Sequence, residues 1–68
     1  MVYVFLADGF EEVEALTPID VLRRAGVEVR TIGVTGKTVT GTHGVPMVAE
    51  ILPEETDLAA ADMIFLPG

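Results

Sequence analysis

The chain has 68 residues, half of them hydrophobic, and sets eleven acidic against four basic side chains for a formal charge of −7 at pH 7. That acidity excludes the basic stripe by which proteins hold nucleic acid, and it repels anionic lipid surfaces. Without cysteine, and with one histidine, the disulfide and metal staples that small domains use to offset a thin core are lacking.

A domain of this length buries about 60% of the surface that its unfolded chain exposes. So apolar a composition in so short a chain suits a piece of a larger sheet domain, finished by other segments. The longest apolar runs, Val2 to Ala7 and Met63 to Pro67, fall far short of the roughly 20 residues that cross a bilayer. Met1 leads straight into a strand pattern with no basic leader region. A cytoplasmic protein with no nucleic-acid or membrane partner is expected.

Val2-Tyr3-Val4-Phe5-Leu6-Ala7 is apolar without alternation, the pattern of a parallel strand covered on both faces. Asp8-Gly9 ends it. A helical stretch follows from near Phe10 to just before Gly26, with Val13, Leu16, Ile19, Val21, Leu22 and Ala25 as its apolar stripe. Gly26 suits the glycine that closes a helix, and Arg23-Arg24 suit the last turn, where the dipole favours cations. Pro18 predicts a bend. Thr17-Pro18-Ile19-Asp20 reads as a cap followed by proline at the first helical position, so a short turn over Glu11 to Leu16 is expected before a main helix to Ala25.

Val27 to Val34 reads as a second strand, with Glu28 and Arg30 on its polar side. Gly41 and Gly44 among β-formers predict a hairpin: a strand near Thr38 to Thr42, a turn at His43-Gly44, and a strand near Val45 to Ile51. Pro53-Glu54-Glu55 opens a short helix or turn reaching Ala61, and Met63 to Leu66 forms another buried strand. This order opens a three-layer α/β fold with a mostly parallel sheet, whose ligands sit beyond the carboxyl ends of the strands.

The segment Asp8-Gly9-Phe10-Glu11-Glu12-Val13-Glu14 follows the first strand. One glycine trailed by three carboxylates repels phosphate, which argues against a dinucleotide turn. Asp8 as a phosphoryl acceptor needs partner carboxylates, and Pro67-Gly68 stand where one belongs. For Glu11 and Glu12 the plain reading is a solvated first turn. Glu14 differs, because Val13, Ala15 and Leu16 flank it and Pro18 follows; shielded at the sheet's carboxyl edge, its pKa would rise and it could share a proton with a nucleophile. His43 reads as a turn histidine at the surface or in an interface. A lone histidine is no metal site, and the acids show no ligand spacing around it, so neither metal nor cofactor is expected. Asp20 and Arg24, four apart, read as a helix-surface pair. Serine is absent as well as cysteine, and no threonine is paired with His43, so any nucleophile lies outside these residues.

Three stretches carry a resemblance: Val4 through Glu14, Pro18 through Gly26, and Ile64-Phe65-Leu66-Pro67-Gly68. Together they are similar to the amino-terminal part of the ThiJ/PfpI superfamily, in the branch of the small human parkinsonism-associated protein and its bacterial relatives. The resemblance implies a flavodoxin-like sandwich, of which residues 1–68 are the amino-terminal part of a single domain, usually paired as a homodimer. It also implies a cysteine in a strained elbow after a later strand, with Glu14 hydrogen-bonded to it. Gly68 would match the first glycine of a Pro-Gly-Gly turn that helps form an oxyanion hole. Arg24 would lie near the dimer interface, and His43 would fall where many relatives place an arginine reaching the partner's pocket. At that position histidine carries a weaker, pH-dependent charge.

Activities attributed to that family include deglycase or glyoxalase chemistry on small carbonyl substrates, peptidase activity and chaperone behaviour; a thiazole-monophosphate biosynthesis name is also inherited. The reading that follows is an amino-terminal portion of a cysteine-dependent protein, inactive without the remaining carboxy-terminal portion. Its rivals are a non-catalytic, chaperone-like dimeric module and a free-standing binding domain.

Overall fold

A computed structural model describes every residue, Met1–Gly68. Strand β1 (Val2–Leu6) is followed by helix α1 (Glu12–Arg24), then β2 (Val29–Gly33) and a hairpin of β3 (Thr38–Thr40) and β4 (Pro46–Val48). Two single-turn 3₁₀ segments, Pro53–Glu55 and Leu58–Ala60, lead to β5 (Met63–Phe65). The main sheet has the order β2-β1-β5 and both of its ladders are parallel, with Val2 beside Val29 on one side and Met63 on the other. The hairpin is a separate antiparallel pair in which Val39 faces Met47. This is a flavodoxin-like α/β arrangement. No helix is long and apolar enough to cross a membrane.

The unbroken apolar run of β1 serves two faces. Val2, Val4 and Leu6 join Ala15 and Ile19 of α1, with Phe10, Val29 and Val39, in one buried cluster. On the other face Tyr3 is buried and its hydroxyl accepts the Asp57 N–H at 3.0 Å. Alternate residues of a strand point to opposite faces, so one strand anchors two layers.

Helix α1 departs from expectation in two ways. It runs unbroken through Pro18, although proline supplies no N–H to the carbonyl four residues back. Ala15 and Ile19 are buried and Leu22 packs against the same cluster, a stripe at i, i+4 and i+7 that a bend at Pro18 would split. Burial of that stripe outweighs one missing hydrogen bond. The stripe itself is narrower than the sequence suggested, since Val13, Leu16 and Val21 are exposed. The helix ends as expected: Gly26 takes φ 83°, its N–H reaches the Arg23 carbonyl, and the Val27 N–H reaches Leu22. That paired closure favours glycine at the left-handed position.

Arg23 turns back at this end to the Val29 carbonyl (2.8 Å) and to Glu50 (2.5 Å). Glu50 also accepts from the Thr31 N–H and hydroxyl. Burial works against its charge, but the Thr31 and Arg23 bonds prevail and hold its pKa below the usual glutamate range. The helix end, β2 and the segment leaving β4 are thereby pinned together.

Candidate functional site

The turn after β1 is zipped to the hairpin by main-chain bonds. The Gly9 N–H donates to the Thr40 carbonyl at 2.8 Å, and the Thr42 N–H to the Phe10 carbonyl at 2.8 Å. Asp8 adds its carboxylate, which accepts the Thr40 N–H at 3.0 Å. Its side chain is thus engaged in holding β3. The zipper carries the Gly41–Gly44 turn over the start of α1.

There the structure corrects the reading of Glu12. Its carboxylate is buried beneath the turn, not solvated. One oxygen accepts the N–H groups of His43 (2.8 Å) and Val45 (3.2 Å), and the other meets His43 Nδ1 at 2.9 Å. Gly41 is required at this close approach, because a Cβ there would overlap the Glu12 carboxyl group. Glu11 is half-buried, with Oε1 3.6 Å from the same ring nitrogen. The acids therefore do gather around His43, although more than thirty positions separate them in the chain. Burial opposes ionisation of Glu12, yet the bonds from His43 and the main-chain N–H groups prevail and lower its pKa to about 2. The Glu12 hydrogen bond, followed by the charge of Glu11, raises the pKa of His43 above its ordinary 6.5.

These opposite shifts fix a pH window. The depressed carboxylate contributes stability that is complete above its ordinary value of 4.5 and lost as pH falls through about 2. The raised imidazole contributes stability that is complete below 6.5 and lost as pH rises through its folded value. Thermal midpoints measured against pH should therefore show this contribution greatest between 4.5 and 6.5. His43→Gln should flatten the decline on the alkaline side. An alkaline limb identical in the variant would show that the pair contributes nothing to stability.

Glu14 lies one position beyond Val13 on another face of α1, exposed, with Oε1 accepting the Gly68 N–H at 3.3 Å. The Gly68 carbonyl in turn accepts the Glu11 N–H at 2.5 Å, so the segment after β5 meets the first turn of the helix. A Cβ on Gly68 would stand 2.9 Å from Glu14 Oε1. Beside this contact a hollow of about 280 Å³ opens beyond the strand tips, lined by Ala7, Asp8 and Gly9 after β1, Val34 after β2, and Leu66 to Gly68 after β5. That volume is near the lower end of small-molecule sites.

The structure thus brings Glu14 and Gly68 together at the carboxyl edge of the sheet. His43 sits at the opposite side of the helix start, on Glu12. Arg24 is remote from both, exposed in the last turn of α1 and paired with Asp20 at 3.1 Å. Sequence reasoning missed Glu12. The signal was present: Glu12, Ala15 and Ile19 are the buried residues of α1, and their spacing of three and four puts the acid on the core stripe.

Residues 1–68 match the family model described as the DJ-1/PfpI family. Protein DJ-1 homolog B of Arabidopsis thaliana is 40% identical over 98% of this chain and 16% of its own length. A deglycase of Thermococcus kodakarensis is 31% identical, again over 98% of this chain and 40% of its own. Among solved structures, a mutant of a DJ-1 superfamily protein from Salmonella typhimurium superposes with a TM-score of 0.92 at 41% identity, covering 98% of this chain and 37% of that one. The chain spans less than half the length of each of these relatives. With sequence matched from end to end and the fold reproduced alongside it, the chain belongs to the DJ-1/PfpI family.

Proposed function

We propose that these residues supply the Glu14 side of a cysteine-dependent site that processes small carbonyl compounds, in the manner of a deglycase or glyoxalase. The observation that carries this reading is the Glu14 carboxylate held against the Gly68 N–H on the rim of the strand-tip hollow. A relative named as a deglycase supports the substrate class. In this reading further residues of the polypeptide complete the domain and bring a cysteine to the hollow, and a homodimer uses the exposed surface that includes Arg24.

The thiolate attacks the electrophilic carbonyl carbon: a carbon–sulfur bond forms and the π electron pair moves to oxygen. Main-chain N–H groups following Gly68 receive that oxyanion. Glu14 donates a hydrogen bond to the thiolate sulfur, which favours that form and orients it. Its value lies in geometry, since an α-helix start and a strand tip are both rigid supports.

Alkylation of the thiol across pH in the full-length polypeptide tests the assignment. A hydrogen bond to a charged group is worth about 1.5–3 kcal/mol and one pKa unit about 1.4 kcal/mol. Glu14→Ala should then raise the apparent pKa of the reactive thiol by roughly one to two units. An unshifted titration in that variant would remove Glu14 from the site.

A further inference from the structure

We propose that Glu11, Glu12 and His43 form a binding site for a divalent transition-metal ion of the zinc type, at the junction of the α1 start and the β3–β4 turn. Three donor atoms of two chemical kinds converge from separate parts of the chain. His43 Nδ1 lies 2.9 Å from a Glu12 oxygen and 3.6 Å from a Glu11 oxygen, and all three ligand atoms fall within 4.8 Å of one another. Ligands about 2.0–2.2 Å from a tetrahedral zinc ion stand roughly 3.3–3.6 Å apart. The imidazole nitrogen therefore stands within about half an ångström of ligand spacing from each carboxylate.

Glu12 is also oriented for the task. Its second oxygen is fixed by the N–H groups of His43 and Val45, which leaves the first directed at the imidazole. Outer bonds of this type hold ligating carboxylates in position. Access is open on one side only. The Glu12 side chain is 8% exposed beneath the turn, whereas His43 is 69% and Glu11 29% exposed. An ion reaches the site from solvent, rests on a buried floor, and keeps its outer position for water.

Donor chemistry selects the ion. Imidazole suits zinc and its neighbours, while calcium and magnesium prefer all-oxygen shells. Once Nδ1 has given up its proton to make room for the ion, two carboxylates beside the ring leave a local double negative charge that a divalent cation cancels. Binding would exchange the Glu12–His43 hydrogen bond for shared ligation, with the ring proton on Nε2. The site is distinct from the strand-tip hollow, because none of Glu11, Glu12 and His43 lines that hollow. It neither requires a cysteine nor depends on the carbonyl chemistry proposed above.

Cobalt(II) titrated into chelator-treated full-length protein provides the probe, with zinc(II) as competitor. One equivalent should develop the visible absorption of a four- or five-coordinate nitrogen–oxygen site, without a thiolate charge-transfer band, and zinc should displace it. His43→Ala and Glu11→Gln should each weaken binding at least tenfold. His43 is exposed and Glu11 half-buried, and circular dichroism verifies that the variants are folded. Glu14→Ala should bind as the wild type does. A spectrum that stays that of the hydrated ion, a thiolate band, or undiminished affinity in His43→Ala would overturn the assignment.

Discussion

Glu14→Ala in the full-length polypeptide should lower kcat/KM toward a small dicarbonyl substrate by about 10²–10⁴-fold, the span associated with losing a positioned proton-transfer group. The side chain is exposed and its one hydrogen bond is to Gly68 at 3.3 Å, so its loss should leave the fold intact. Glu14→Gln separates two roles: the amide keeps a hydrogen-bond donor near the sulfur but cannot carry a proton between groups. Its activity should fall between the wild type and alanine. Steady-state kinetics on the three proteins decide the matter. Equal activity in all three would remove Glu14 from the chemistry, and no activity in any of them would favour the non-catalytic dimeric module.

Leu6→Ala should destabilise the protein by about 2–5 kcal/mol, the range for truncating a buried leucine. Leu6 has no exposed surface and lies on the central strand, paired with Gly33 and packed with the α1 stripe. No neighbouring strand can shift inward without breaking its ladder, which keeps the cavity open and the cost toward the upper part of that range. Val13→Ala on the exposed side of α1 is the control, expected within about 0.5 kcal/mol of wild type. Denaturant unfolding of the two variants gives both values. A Leu6→Ala protein as stable as Val13→Ala would mean that the cluster around β1 is loosely packed.

The fold was legible because parallel strands announce themselves: two-sided burial demands a continuous apolar run, and Val2 to Leu6 has one. Met63 to Phe65 carries a similar run and does form a strand, but at the edge of the sheet, where Met63 and Ile64 are exposed and not buried as the sequence suggested. Gly26 located the helix end because a left-handed position admits few other residues. Pro18 misled for a physical reason. Local propensity favours a break there, but the Ala15–Ile19–Leu22 stripe is a tertiary quantity, visible only once β1 lies beneath it. Glu14 was singled out by apolar flanks that do not in fact shield it, since Val13, Leu16 and Glu14 itself are exposed; its meeting with Gly68 follows from both lying at strand-tip level. The Glu12–His43 contact was hidden by distance along the chain. It depends on the register with which Gly9 and Phe10 zip to Thr40 and Thr42, and no local pattern encodes that register.

The order of the three parallel strands has one more result. From β1 the chain winds outward to β2, then travels back past β1 to lay β5 on its far side. Right-handed crossovers moving in opposite directions cover opposite faces of a sheet. A crevice beyond the carboxyl ends of the strands belongs to such a reversal of winding, and the hollow lined by Ala7 to Gly9 and Leu66 to Gly68 lies there. The space beside Glu14 is thus a product of topology, so substitutions along its walls can alter what fits there without closing it.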